Sequence, residues 1–135
     1  MIRSLKYLIL CSWPDIAFAV GTLSRYNNAP KSSIIVAAKH LLRYIEKTSH
    51  ISLRLSPFIT EDQSPVLYCD AEWAGDVYTR TSTGGYVCVV TEDNLLKDEP
   101  RQSAVSWSSK RQLTVALSST EAEYIANTQA AKEAI

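Results

Sequence analysis

Three carboxylates fall within seven residues near the middle of this chain, at Asp70, Glu72 and Asp76. The run Val66-Leu67-Tyr68 before them has the residue types of a β-strand, and Gly75-Asp76 favours a turn. Asp70 is therefore expected where a strand ends. Clustered carboxylates repel one another unless a cation lies among them, so one interpretation is a metal site. The other is a solvated acidic turn, which these residues alone favour.

A further acid stands at the start of a predicted helix. Ser118-Ser119-Thr120-Glu121 is a capping-box pattern, with a serine at the cap and Glu121 three residues later. The pattern predicts a helix that runs to Ile135. Glu123 lies two residues after Glu121, so it is expected on another face of the helix and is given no ligand role.

The elements that would position these acids follow from hydrophobic periodicity. Apolar spacing predicts a helix over residues 15–27 and a second from Ser32 to Thr48, with Ile35, Ala38, Leu41, Leu42 and Ile45 as its apolar stripe. Apolar and polar residues alternate over Ile51–Leu55, which predicts a half-buried strand. Further strands are predicted at 66–70, 84–91 and 103–108, with a short β-rich piece at 114–117.

Charge divides the chain into two halves of opposite sign. Residues 1–56 hold eight Lys/Arg and two Asp/Glu, a balance of +6, and residues 57–135 hold six and twelve, a balance of −6. Lys39, Arg43 and Lys47 recur every four residues on one side of the second helix, and Arg25 belongs to the helix before it. These four are candidates for contact with a nucleic-acid backbone. The alternative is that two helices have basic solvent faces.

Length and composition limit the class of protein. The 135 residues suit one domain, or one small domain with a piece of another, and an apolar fraction of 46% allows a core. No apolar run is long enough to span a bilayer, and no signal-peptide cleavage site follows the N-terminal apolar stretch. Three widely spaced cysteines fit a reducing compartment, so an intracellular location in cytoplasm or nucleus is expected.

Several motifs, in order, resemble one known family. The segment Tyr68–Asp76 (YCDAEWAGD), with Thr81–Tyr86 (TSTGGY), Val105–Gln112 (VSWSSKRQ) and Ala116–Tyr124 (ALSSTEAEY), resembles the ribonuclease H domain of copia-type LTR-retrotransposon Pol polyproteins. The motifs Trp13–Val20 (WPDIAFAV), Leu23–Tyr26 (LSRY) and Ala37–Tyr44 (AAKHLLRY) resemble the end of that family's reverse transcriptase.

The resemblance implies an α/β fold. It would be a truncated ribonuclease H-like fold, three antiparallel strands plus the first helix, preceded by a helical hairpin from the reverse transcriptase. The implied domains are residues 1–56 for the C-terminal helical part of the reverse transcriptase, 57–65 for a linker and 66–135 for the N-terminal part of the ribonuclease H-like domain.

The resemblance also implies a chemistry. The family cleaves the RNA strand of an RNA–DNA hybrid with two Mg²⁺ ions held by carboxylates. By position, Asp70 and Glu121 match the first two catalytic and metal-binding acids, and Asp76 matches a position outside that set.

Departures from the family pattern limit this expectation. The family's third and fourth metal acids fall after the last residue of this sequence, and its polymerase palm has no counterpart here. Glu72 replaces an expected aspartate, and Glu92–Gln102 is longer than the family hairpin, with no role assigned. The expectation is a Pol fragment whose nuclease activity is lost. The alternative is a non-catalytic module that binds nucleic acid or completes the sheet of another chain, such as the remainder of a Pol polyprotein.

Overall fold

The computed structural model describes residues 2–55, 65–92 and 101–133, within two compact units, Met1–Leu53 and Arg54–Ile135. The elements in chain order are α1 (Ile2–Cys11), a 3₁₀ turn (Pro14–Ile16), α2 (Ala17–Ser24), α3 (Ser32–Thr48), β1 (Val66–Glu72), β2 (Thr83–Glu92), β3 (Arg101–Arg111) and α4 (Ser119–Glu133). Over these described ranges the protein is α/β, with four α-helices and one three-stranded antiparallel sheet.

The first unit is held together by an aliphatic core between its helices. α1 packs against the 3₁₀ turn and α2, and α2 packs against α3. The buried residues of this core are Leu5, Ile16, Val20, Leu23, Ala38 and Leu41. Burial of apolar side chains stabilises this arrangement by about 25 cal/mol for each Å² removed from water. None of the helices in the described ranges is long and apolar enough to cross a membrane.

The helices differ in three ways from the sequence prediction. α1 was not predicted, because the apolar stretch at the chain start was considered only as a possible signal peptide. The helix predicted at 15–27 divides into the 3₁₀ turn and α2, which ends at Ser24. α3 has the predicted bounds, but its buried side is Ala38 and Leu41 with the half-buried Ile34 and Ile45.

The strand predicted at Ile51–Leu55 is wrong, since these residues have no regular secondary structure. The backbone N–H of Ile51 instead donates to the carbonyl oxygen of Thr48 at 2.9 Å and continues the end of α3. Alternating polarity predicts a strand only where a neighbouring strand supplies backbone partners. The short piece predicted at 114–117 is not a strand either.

The sheet of the second unit has the order β1-β2-β3, so β1 and β3 form the two edges of the described sheet. The three predicted strands are confirmed and extend beyond their predicted bounds. Asp70 pairs with Gly85, and Gly85 pairs in turn with Ser109. The register between β2 and β3 shifts at Cys88 and Val89, which marks a bulge. Two predicted segments lie largely outside the described residues: the linker over 57–64 and the insertion over 93–100.

Helix α4 packs on one face of this sheet through small side chains. Ala122, Ala126 and Ala130 recur every four residues and are buried. A Cβ atom added at Gly84 would lie 3.2 Å from the Cβ of Ala126, so the glycine allows the helix to approach β2 closely. The helix contacts β1 and β2, the strands that end and begin at the acidic turn.

This close approach predicts that an alanine-to-leucine change lowers stability on the buried side of α4 but not on its exposed side. Ala126→Leu is expected to lower the free energy of unfolding by about 1–3 kcal/mol, because a larger side chain must fit against Gly84. Ala131→Leu on the exposed side of the helix is the control, with a change within about 0.5 kcal/mol. Urea unfolding of the full chain measures both, and equal effects would contradict the described packing.

Candidate functional site

Asp70 is presented on the open side of the edge strand β1. Along this strand Leu67, Cys69 and Ala71 are half-buried, and the residues between them, Asp70 included, are exposed. The Asp70 carboxylate accepts a hydrogen bond from the backbone N–H of Ala71 at 2.8 Å. Its neighbours across the sheet, Gly85 and Ser109, are small, so they leave space around the carboxylate.

Two contacts fix the direction of α4 against β1. The Cys69 thiol hydrogen-bonds to the side-chain oxygen of Asn127, in the middle of α4. The indole N–H of Trp73, just past β1, donates to the carbonyl oxygen of Ala116, just before α4, at 3.0 Å. The helix therefore runs antiparallel to β1, and its first turn lies level with the end of the strand that carries Asp70.

Glu121 acts as part of the helix cap. Its backbone N–H donates to the hydroxyl oxygen of Ser118 at 3.1 Å, as the capping-box pattern predicts. Its carboxylate accepts the backbone N–H of Leu117 at 2.6 Å. One carboxylate oxygen of Glu121 is thus engaged in starting the helix, which leaves the other for any ligand.

Glu123 is a second acid in the same part of α4, and the sequence prediction set it aside. It lies four residues before Asn127, so the two residues share one side of the helix. That side faces β1, because Asn127 contacts Cys69. Glu123 is exposed. The spacing between Glu123 and Asn127 is visible in the sequence, but its meaning depends on knowing which side of α4 meets β1.

The donor set for a metal ion is partial. Within residues 2–55, 65–92 and 101–133, no group of three or more His, Cys, Asp and Glu side chains converges on one point. Mg²⁺ takes about six oxygen ligands and keeps several waters, and a two-metal centre needs several carboxylates. Asp70 and an acid of α4 by themselves do not fit a two-metal centre.

The other two acids of the cluster lie at the turn after β1. Asp76 accepts the backbone N–H groups of Tyr78 and Thr79, each at 3.0 Å, and lies 3.7 Å from the Arg111 guanidinium. Glu72 folds over Gly75, where an added Cβ would lie 2.6 Å from its carboxyl carbon. The bonds of Asp76 give it a structural use in this turn, and Glu72 packs over Gly75.

A buried polar cluster ties this turn to α4, and the sequence did not predict it. The Ser82 hydroxyl accepts the backbone N–H of Ala74 at 3.1 Å, and the Ser82 carbonyl accepts that of Gln112 at 2.9 Å. The Gln112 side chain donates to the carbonyl oxygen of Ala122 at 2.7 Å. Ala74 has a positive φ of 51°, an uncommon conformation for alanine that these bonds hold in place. Ser82 and Gln112 thus position the end of β1 relative to α4.

The predicted basic residues all lie in the first unit. Lys39, Arg43 and Lys47 are exposed along one side of α3, and we call them the basic row. Arg25 differs, because it is half-buried at the C-cap of α2 and its backbone N–H donates to the carbonyls of Thr22 and Leu23. The three residues of the basic row therefore form one helical surface, to which Arg25 does not belong.

Known proteins resemble nearly the whole chain. It is 40% identical over 136 residues to a "Retrovirus-related Pol polyprotein from transposon TNT 1-94" of Nicotiana tabacum and 39% identical over 130 residues to that "from transposon RE1" of Arabidopsis thaliana. These matches cover 99% and 95% of this chain but only 9% and 8% of those relatives. It is also 40% identical to the "Secreted RxLR effector protein 161" of Plasmopara viticola, of which it covers 86%. No family model and no solved structure matches.

The capping contact predicts a difference between the two acids of α4. Glu121→Ala is expected to lower the free energy of unfolding by about 0.5–1.5 kcal/mol, because the Leu117 N–H loses its carboxylate partner. Glu123→Ala, on an exposed residue of the same helix, is the control and is expected to change stability less. Urea midpoints of the two variants measure the difference, and the reverse order would contradict the cap.

Proposed function

Since the chain belongs to the family of copia-type retrovirus-related Pol polyproteins, we propose a function for each of its parts. Residues 66–135 are the N-terminal part of a ribonuclease H-like domain, and residues 1–56 are the C-terminal helical part of a reverse transcriptase. The sheet and α4 contribute acids to a site that hydrolyses the RNA strand of an RNA–DNA hybrid. The chain spans about a tenth of the curated Pol polyproteins, so this activity belongs to the larger protein.

One observation carries this proposal: the start of α4 lies beside the end of the strand that carries Asp70. The Trp73–Ala116 and Cys69–Asn127 contacts hold the two segments together there. Asp70 is exposed between small neighbours, where a phosphate or a hydrated cation has access. A rigid strand and a capped helix suit a site whose acids must keep fixed positions.

The acid that acts with Asp70 comes from the start of α4. Glu121 stays the prediction from the family pattern, and Glu123 is a second candidate because it shares the side of Asn127 that meets β1. Asp70 leaves the strand on the side opposite Cys69, so its carboxylate and that of Glu123 would meet around the edge of β1. Mg²⁺ at this position is part of the proposal, and its further ligands would come from outside the described residues.

The partial donor set leads us to propose that the 135-residue chain does not cleave nucleic acid by itself. When the purified chain is incubated with Mg²⁺ and a labelled RNA–DNA hybrid, we expect no more RNA cleavage than in the same reaction without the protein. The control is Asp70→Asn, which keeps the shape of the side chain and removes its charge. Cleavage by the parent chain that disappears in Asp70→Asn would overturn the proposed inactivity and support a working site.

A second candidate function is non-catalytic binding of a nucleic-acid backbone by the first unit. The observation that favours it is the basic row, which presents Lys39, Arg43 and Lys47 on one exposed side of α3. Residues 1–56 have a net charge of +6, so the sequence around the basic row is also positively charged. Contacts between lysine or arginine and phosphate release counterions and need no particular base sequence.

Salt dependence tests this binding. Lys39→Gln and Lys47→Gln are each expected to reduce the slope of log K against log salt for single-stranded DNA by about 0.7. Lys132→Gln, in the last turn of α4, is the control and is expected to leave the slope unchanged. Fluorescence anisotropy over a salt series measures all three. A slope that is the same in every variant would contradict contact through the row.

The compartment and the larger assembly are proposals as well. A Pol polyprotein of an LTR element acts inside the cell, in cytoplasm or nucleus, and the three cysteines are free thiols in the structure. The alternative is secretion, which the name of the Plasmopara viticola relative states for that protein.

A further inference from the structure

A cleft of about 310 Å³ lies in the first unit, whereas the acids discussed above belong to the second. The residues that line it come from the segment before α2, from α3 and from the segment after α3, and they include Trp13, Asp15, Tyr44, Thr48 and Ile51. Its volume is at the lower end of the range of ligand sites, roughly 300–1,000 Å³, and suits one small flat group. Its walls are mainly apolar, with polar atoms at a few places.

The polar groups of the cleft are fixed by hydrogen bonds. The Tyr44 hydroxyl donates to Oδ2 of Asp15 at 2.6 Å, and the Thr48 hydroxyl donates to the Tyr44 carbonyl at 2.7 Å. The hydrogen bond to Asp15 and the charge of its carboxylate raise the pKa of Tyr44. The Tyr44 ring is thereby held in one orientation, and Oδ1 of Asp15 is the carboxylate oxygen not used in this bond.

The cleft lies next to the basic row. Tyr44 follows Arg43 in α3, and Thr48 follows Lys47, so each residue of the cleft on this helix has a cation beside it in the chain. One helix therefore combines an aromatic cleft with cations on the neighbouring side. Proteins that bind single-stranded nucleic acid use this combination, with bases stacked on aromatic rings and phosphates held by basic residues.

We infer that this cleft binds one unpaired nucleobase of a single strand whose phosphates contact the basic row. Trp13 and Tyr44 supply the aromatic walls, and the Asp15 carboxylate accepts the N–H groups of the base edge. The inference rests on the proposed backbone contact and adds to it a preference for unpaired bases. A base inside a duplex cannot enter the cleft, so single strands bind better than duplexes of equal charge.

A pair of probes separates the base from the backbone. The first is a short fluorescein-labelled single-stranded DNA, and the second is a strand of the same length and charge without bases. Binding to the full chain is followed by fluorescence anisotropy. The abasic strand is expected to bind about tenfold more weakly, since one stacked base contributes on the order of 1.4 kcal/mol, which is a factor of ten.

A variant that fills the cleft supplies the second arm of this test. Ser52 lines the cleft and is exposed, so Ser52→Trp blocks the cleft from its rim. This change is expected to lower the affinity for the normal strand to that for the abasic strand and to leave the abasic affinity unchanged. Ser33→Trp, on an exposed residue of α3 outside the cleft, is the control and leaves both affinities unchanged.

Tryptophan fluorescence gives an independent readout without altering the cleft. In a chain with Trp73→Phe and Trp107→Phe, Trp13 is the remaining tryptophan, and the normal strand is expected to quench it while the abasic strand does not. Equal, salt-dependent affinity for both strands would overturn the base site and leave the backbone contact standing. It would favour an apolar side chain of a partner protein as the occupant. Absence of binding to either strand would overturn both.

Discussion

The close approach of α4 to the sheet is the constraint on which the second unit depends. Ala122, Ala126 and Ala130 form its buried side, and Gly84 provides the space opposite Ala126. Each small side chain buries little apolar area. Polar contacts therefore also help to hold the helix on the sheet. The bonds of Ser82 and Gln112 connect the turn after β1 to the start of α4. The position of the helix acids relative to Asp70 follows from this packing and from these bonds.

The sequence predicted the parts of the fold that depend on local pattern. α3, the three strands and the cap of α4 each have a periodicity or a capping signal of their own, and the structure contains all of them. The prediction was wrong at Ile51–Leu55, where the pattern of a strand is present but the strand is not. It also missed α1, although Leu5, Leu8 and Ile9 already have helical spacing in the sequence, and Leu5 is buried in the core.

In the candidate site, too, the features that depend on local sequence could be predicted and those that depend on distant contacts could not. The place of Asp70 near the end of a strand could be predicted, because the strand and the turn are both local, although β1 continues to Glu72. The different uses of Glu121 and Glu123 could not, because they depend on which side of α4 meets β1. The structural use of Asp76 was also missed, since its partners Tyr78 and Thr79 are local but Arg111 comes from β3. Contacts between elements that are distant in sequence decide whether each acid has a structural role or can bind a ligand.

The edge position of β1 has a consequence for how a further strand could pair with the described sheet. In the described sheet β1 pairs on one side with β2, and its other side carries backbone donors and acceptors. Every copy of the chain has the same edge, with the exposed Val66 and Tyr68 near its start and Asp70 near its end. Pairing of this edge with another strand would use the backbone groups beside Asp70 and would change what can reach its carboxylate.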